Sequence, residues 1–558
     1  MGVPGFFRYI VKNYKSDYLS ESKPKTVDNL FFDFNGLLHP MCFKILDTLT
    51  QAEVDDLNNC VDNTLITSLQ KRMIDDGIIP YLEDIVKLVQ PRQLVYIAID
   101  GVAPMAKCSQ QRSRRWKSSI DAREMSTMKE KWKVAQGPKW TNASISPGTK
   151  FMIQIMDGVS KYCKQRRTSW ETSYGCKVIF NTARTPGEGE HKIMNYLRNP
   201  RVSRSSCNVI YGLDADLIFL SMGLDHNVFL LRESTEFDKK KSIKKEPVKL
   251  AFKYLNINRF TDIVVSQLHI TKWDFICLCT FIGNDFIPNL PSVNVYDDGL
   301  DTLFKIYRDV RDVLTGSRLV YLNGDNLMIN PIFLHEIFTR LGNLEDQVLK
   351  ESRSSAKHKR RPPKLSEYKL EVWQRDNLVG DWSQLDRYML GQGQPDEWKE
   401  RWYGDIDQDV MCDKYIEGMQ WTLQYYHNGQ TDWEWHYPWL HGPFPSDLSR
   451  SPRRVSRLPV NTSPLKSTWQ LLLIMPREYD HLVPIGYSNA RDSVLKQIFP
   501  EDIEIDYTGK TQQWQGKPIL PPIPENYSSI METYDQTLLP RETMSNRTIN
   551  KLIPPILF

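Results

Sequence analysis

Net charge, cysteine and long apolar runs are all scarce in this 558-residue chain. Lysine and arginine number 72 against 68 aspartates and glutamates, a formal balance of +4. That excludes a protein holding nucleic acid by bulk charge alone, and leaves room for a local basic site. The nine cysteines form no CxxC pair, and Cys277-x-Cys279 stands alone. Reduced, mostly buried thiols are expected and a zinc knuckle is excluded. The best apolar stretch, Phe275 to Ile282, is far shorter than the roughly 20 residues that span a bilayer. The opening Met1-Gly2-Val3-Pro4-Gly5-Phe6 carries no charged segment leading into an apolar one, and Phe6 stands where a myristoylation signal wants Ser or Thr. Gly509-Lys510-Thr511 resembles the end of a P-loop, but Glu504 occupies the place of its first glycine. No internal repeat is visible. A soluble intracellular protein with no membrane partner is expected. Its length suggests about two to four domains.

What is present is alternation. Leu30-Phe31-Phe32 ends at Asp33, Leu94 to Ile99 ends at Asp100, and Val209-Ile210-Tyr211 leads through Gly212-Leu213 to Asp214. Short β-rich runs separated by helix-length stretches predict a parallel sheet with crossover helices. Ser146-Pro147-Gly148-Thr149 reads as an N-cap with Pro at the first helical position, followed by Met152, Ile155, Met156 and Val159 at helical spacing. Ser352 to Lys364 is basic and lacks an apolar face, so a mobile insertion is expected there, with a nuclear-localisation signal as the alternative. Beyond it Trp398, Trp402, Trp421, Trp433, Trp435 and Trp439 crowd together with several tyrosines. They read either as a second core or as platforms for stacking bases.

Ligands of an open parallel sheet bind outside the carboxyl ends of its strands, where Asp33, Asp100 and Asp214 fall. Asp216 adds a carboxylate two residues on. Gly187-Glu188-Gly189-Glu190-His191 supplies another acid pair, and Gly283-Asn284-Asp285 a seventh acid. Crowded carboxylates repel one another unless hard cations intervene, which points to Mg²⁺ or Mn²⁺, with two ions expected. A two-metal phosphodiesterase follows. His191 reads as a hydrogen-bonded structural residue, with metal ligation as the alternative. Between Lys107 and Lys117 there are five basic residues and no acid. In a helix Lys107, Gln111, Arg114 and Arg115 share one stripe, suited to fixing a terminal phosphate.

These motifs occur in the order of the Xrn-type 5′→3′ exoribonucleases: Met1-Gly2-Val3-Pro4 with Phe6-Phe7-Arg8, Asp33-Phe34-Asn35-Gly36, Asp100 to Pro104 with the basic helix, Gly187 to His191, Tyr211 to Asp216 and Gly283 to Phe286. Tyr415 to Trp421 and Trp433 to Pro438 resemble that family's second conserved region. The resemblance implies an α/β fold: a PIN/flap-nuclease-like, mostly parallel sheet with flanking helices, and a largely helical aromatic-rich region packed against it. The expected units are a nuclease domain over 1–340, an insertion over 341–400 and the second region over 401–558. It also implies Mg²⁺-dependent, processive removal of 5′-mononucleotides from single-stranded RNA bearing a 5′-monophosphate, as decapping leaves it. The matching metal ligands are Asp33, Asp100, Glu188, Glu190, Asp214, Asp216 and Asp285, and the matching phosphate ligands are Lys107, Gln111, Arg114 and Arg115. His39 matches a histidine that stacks on a nucleotide, and Trp435 is preferred over Trp433 as its aromatic partner.

Gly5 replaces a basic residue common in the family, and the continuation after Pro438 differs in the place of its histidine. The long C-terminal extensions of large members have no counterpart, so a compact, monomeric, cytoplasmic nuclease core is expected, with nuclear placement and viral origin as alternatives. A DNA flap nuclease and a catalytically silent RNA-binding scaffold are the competing functions.

Overall fold

The computed structural model describes residues 5–14, 18–60, 64–233, 252–293, 299–358, 364–377, 390, 395–429, 432–450, 462–508, 510 and 512–558. The Met1–Pro4 opening, the lysine-rich tract Lys239 to Lys245, whose composition suits either nuclear import or contact with RNA backbone, residues 359–363 of the basic run and two residues of the P-loop-like stretch therefore lie outside the described residues. In chain order the strands are β1 (Leu19–Ser20), β2 (Asn29–Asp33), β3 (Leu94–Ala98), β4 (Lys177–Asn181), β5 (Cys207–Tyr211), β6 (Asn227–Glu233) and β7 (Phe252–Asn256). Two hairpins follow, β8 (Val320–Asn323) with β9 (Asn326–Ile329) and β10 (Ile505–Asp506) with β11 (Lys517–Pro518), before a last strand, β12 (Ile556–Leu557).

Eight of these strands form one sheet in the order β1-β7-β6-β5-β2-β3-β4-β12. The run from β6 to β4 is parallel, and the edge pairings to β7, β1 and β12 are antiparallel. Every residue of β2, β3 and β5 is buried, which explains why these strands read as unbroken apolar runs and not as alternating ones. Connectivity leaves β2 toward β3 and β4 on one side, then returns to β5 and β6 on the other. The crevice at the carboxyl ends of β2, β3 and β5 is thus a topological switch point.

Alternating side chains divide between the two faces. Leu30, Phe32, Val95 and Ile97 pack with Leu82, Met152 and Ile155 on one side. Phe31, Tyr96 and Ile210 face the other, in an apolar cluster that continues through Phe275 and Phe338 into Trp398, Met419 and Trp421. The expected boundaries at 340 and 401 mark no break in this packing. A third cluster joins Met105, Cys108 and Trp116 to Leu471, Leu473 and Tyr487, and β12 pairs with β4. The C-terminal quarter is therefore built onto the sheet domain itself.

Two local expectations need correction. The helix expected from Ser146 runs over Lys150–Tyr174, because the Thr149 hydroxyl, not that of Ser146, accepts the Met152 N–H at 3.2 Å. The expected insertion from Ser352 begins inside the helix Pro331–His358. The apolar run Phe275–Ile282 spans the end of the helix Lys272–Cys279 and a following turn. No helix among the described residues is long and apolar enough to cross a membrane.

Candidate active site

The seven acids are delivered by short structural transitions. Asp33 is the last residue of β2, and Asp100 and Asp214 lie just past β3 and β5. Asp216 opens the helix Asp216–Met222, while Glu188 and Glu190 flank the start of the helix Gly189–Leu197. Close approach of these segments requires glycine. A Cβ on Gly189 would lie 2.8 Å from an Asp33 carboxylate oxygen, and one on Gly101 would lie 2.0 Å from the Thr185 carbonyl oxygen. The Gly189 N–H donates to Asp100 at 2.6 Å, and the Asp100 N–H donates to the Asn35 side chain at 3.2 Å.

The basic run forms the start of a long helix, Met105–Lys131. A cavity of about 470 Å³ is lined by Asp33, Asp100, Glu188, Glu190 and Asp214. Lys107, Gln111, Arg114 and Arg115 line the same cavity, and His39 borders it. Within it Lys107 departs from the expected phosphate role, because its ammonium is drawn into the acids. It lies 2.5 Å from Glu188 Oε2 and 2.7 Å from Asp285 Oδ2. The other oxygens of that pair are held by neutral donors, Gln110 Nε2 to Asp285 Oδ1 at 3.0 Å and the Tyr425 hydroxyl to Glu188 Oε1 at 3.2 Å. Asp216 and Asp285 are not among the residues that line the cavity. Each is buried and each is electrostatically linked to Lys107.

Burial dominates the electrostatics. It raises Asp33 and Glu190 well above the usual carboxylate range, with Asp100 and Glu188 as the respective next contributors. Asp100 and Glu188 are also raised by burial, against the pull of the Gly189 N–H on the first and of Lys107 on the second. Asp216 is pushed up to about 7 by burial and then by Asp285. Asp285 moves the opposite way: burial works against its charge, but the surrounding positive charges together, Lys107 foremost and Arg114 among them, hold the group below the ordinary value. Carboxylates forced toward protonation by burial and by one another, all offering hard oxygen donors, fit divalent cations such as Mg²⁺ or Mn²⁺. Asp216 Oδ1 is buried with no hydrogen-bond partner among the described residues, as a ligand oxygen would be.

On the basic helix, Arg115 is lowered to about 10 by burial and then by Arg114, and so stays charged at neutral pH. Its Nε is buried without an acceptor among the described residues, a donor that a phosphate oxygen would satisfy. His39 is lowered to about 4 by burial and then by Arg115 and Arg114, so its ring is neutral.

The aromatic candidates divide. Trp435 is 6% exposed and stacks on Trp421 with centroids 5.1 Å apart, so the preferred ring is core and is not open to a base. Trp433 is partly exposed, and its carbonyl accepts the Met105 N–H at 2.8 Å, which ties it to the start of the basic helix. His191 is buried and stacked on Tyr425 at 3.6 Å, and one of its ring nitrogens lies within 4.8 Å of the Glu188 and Glu190 oxygens. Two contributors escaped the sequence reading. Gln110 could have been found, because it lies one helical turn from Lys107. Tyr425 could not, since only the fold brings its helix, Gln408–Asn428, against Glu188.

Comparison with known proteins agrees with this architecture. The family model described as XRN 5′-3′ exonuclease N-terminus matches residues 1–234, and that of the Xrn1 helical domain matches 271–389 and 384–554. Human 5′-3′ exoribonuclease 1 is 28% identical over 98% of this chain and 35% of its own length. Arabidopsis thaliana 5′-3′ exoribonuclease 2 is 27% identical over 94% of this chain and 66% of its own length. The Drosophila melanogaster 5′-3′ exoribonuclease 2 homolog is 26% identical over 96% and 71%. The chain thus spans about a third of the human relative's length and just under two thirds of the Arabidopsis one. With both models matched across the sheet and the helical layer, the chain belongs to the XRN 5′-3′ exonuclease family.

Proposed function

We propose that this chain is a metal-dependent 5′→3′ exoribonuclease that removes mononucleotides processively from single-stranded RNA carrying a 5′-monophosphate. The observation that carries this reading is that one cavity is lined both by carboxylates and by Gln111, Arg114 and Arg115. Asp33, Asp100, Glu188, Glu190, Asp214, Asp216 and Asp285 are the residues that would hold Mg²⁺ or Mn²⁺. Two such ions supply positive charge to the attacking and leaving oxygens of a phosphodiester.

The protein's own residues do the rest. Arg114 and Arg115 offer forked donors to a terminal phosphate and Gln111 adds an amide, while Lys107 sits at the junction of phosphate and acids. A terminal phosphate anchored there places the adjoining diester toward the acids, and positioning of this kind accounts for much of phosphoryl-transfer catalysis. His39, as a neutral ring, and Trp433 provide faces on which bases stack without regard to sequence. Each cleavage leaves a new 5′-phosphate for the same donors, which supports processive action. Reactions that uncap RNA to a 5′-monophosphate would supply the substrate.

The test incubates the protein and Mg²⁺ with matched RNAs bearing 5′-monophosphate, 5′-triphosphate or 5′-hydroxyl ends, and with one 5′-phosphorylated DNA. Mononucleotide release confined to the monophosphorylated RNA is expected. Equal loss of the DNA points to a flap-type DNA nuclease, and no release from any strand points to a silent scaffold.

A further inference from the structure

Glu188 is gripped at both oxygens by groups from different layers of the fold. Lys107, from the basic helix, takes Oε2 at 2.5 Å, and the Tyr425 hydroxyl takes Oε1 at 3.2 Å. Tyr425 comes from the helix Gln408–Asn428, far away in sequence. Its ring is fixed on three sides, stacked on His191 at 3.6 Å and packed against Trp421 at 5.0 Å and Phe286 at 5.6 Å. Trp421 is itself backed by Trp435. Trp421 and Trp435 are therefore a buttress, and the hydroxyl of Tyr425 is the point where that buttress meets an acid of the cavity. A carboxylate oxygen has two lone pairs, so accepting one hydrogen bond leaves each Glu188 oxygen able to bind a cation.

We propose that Tyr425 is a positioning residue that orients Glu188 for metal binding, so that the helical layer sets the metal affinity of the sheet domain. This rests on the metal-dependent reading above. Donors of this kind fix the orientation of a ligand carboxylate before the ion arrives, and losing one typically weakens metal affinity by about 10–100-fold. The hydroxyl touches neither RNA nor the reacting phosphate on this view. Its loss changes how much metal is needed, and leaves the affinity for RNA alone.

Tyr425→Phe removes the hydroxyl and keeps the ring that stacks on His191. Mn²⁺ binding is measured by calorimetry on the whole protein without RNA, for wild type, Tyr425→Phe, Glu188→Gln and the double variant, with thermal unfolding of each as a control. The expected result is Mn²⁺ affinity about tenfold lower in Tyr425→Phe at unchanged melting temperature. In the Glu188→Gln background the same substitution should have no further effect, because it acts through that carboxylate. With Mg²⁺ titrated in a nuclease assay, Tyr425→Phe should need more metal for half-maximal rate while KM for RNA stays constant. Wild-type Mn²⁺ affinity in Tyr425→Phe overturns the proposal alone, as does an equal loss in both backgrounds. A wild type that takes up no Mn²⁺ overturns the metal reading and this proposal with it.

Discussion

Lys107 offers the sharpest test of the electrostatic account. Its side chain is 11% exposed, and its ammonium is paired with Glu188 and Asp285, whose side chains are 4% and 7% exposed. Lys107→Met keeps much of the stem but leaves two buried carboxylates facing each other without a cation. Removing one partner of a buried pair costs about 3–5 kcal/mol, and since two acids lose their partner here the upper end applies. The cost depends on pH with a definite sign. Asp285 is depressed in the folded protein, so its contribution is present above its ordinary value of 3.8 and is lost as pH falls through the depressed one. The variant lacks that contribution, so its deficit should be large at about pH 8, persist down to about pH 4 and shrink only below it, where Asp285 takes a proton. Added Mg²⁺ should narrow the gap, since it puts cations back among the same oxygens. Guanidinium unfolding followed by tryptophan fluorescence, in EDTA and in excess Mg²⁺, measures all of this as shifts in midpoint. A Lys107→Met midpoint equal to wild type in EDTA at about pH 8 would refute the argument that this ammonium neutralises the cluster.

Four further outcomes follow from the same geometry. Asp214→Ala should abolish cleavage while RNA binding and the unfolding midpoint persist; a collapse of the fold would sink the assignment. Arg114→Ala should reduce the preference for monophosphorylated over hydroxyl RNA ends, and an unchanged ratio of kcat/KM values would contradict the phosphate face. Trp435→Ala should destabilise by about 3–5 kcal/mol as a core truncation, whereas Trp433→Ala should weaken single-stranded RNA binding by about 1–3 kcal/mol with little loss of stability; the reverse pattern would restore Trp435 as the stacking ring. Asp216, raised to about 7, favours its neutral form in the folded chain. Its metal-free stability contribution therefore falls as pH rises through about 7, while Mn²⁺ affinity, which needs the ionised form, should climb over the same interval; a flat calorimetric profile would count against it.

The sheet and the acids were legible because their signals are local. Strands buried on both faces announce themselves as apolar runs, and an aspartate just after such a run sits at the carboxyl end of a parallel strand. The basic face was legible for a similar reason, since helical periodicity alone aligns Gln111, Arg114 and Arg115. Lys107 was only half legible: spacing placed it on that face, but its two acidic partners come from other segments, and only tertiary structure brings them to its nitrogen. The same holds for Tyr425. Trp433 and Trp435 are separated by one residue and chemically identical, so nothing in the sequence says which turns inward to meet Trp421. The boundaries at 340 and 401 followed composition, whereas packing follows contact, and β12 closes an edge of the sheet from the far end of the chain.

The helix Met105–Lys131 carries the basic face and touches the acids through one of its own side chains. Its first turn reaches the acids through Lys107, and Arg114 lies about 10 Å farther along the axis at about 1.5 Å of rise per residue. On the proposed reading such a helix is a ruler: its backbone hydrogen bonds fix the spacing between the arginines that would anchor the phosphate and the lysine that meets the acids. On the proposed reading, the length of the released product is measured by the helix and is not chosen by any one side chain. Substitutions along it should change how often the enzyme cuts but not where, whereas inserting one residue between Gln110 and Arg114 would swing the arginines by about 100° and leave the ruler with no zero mark.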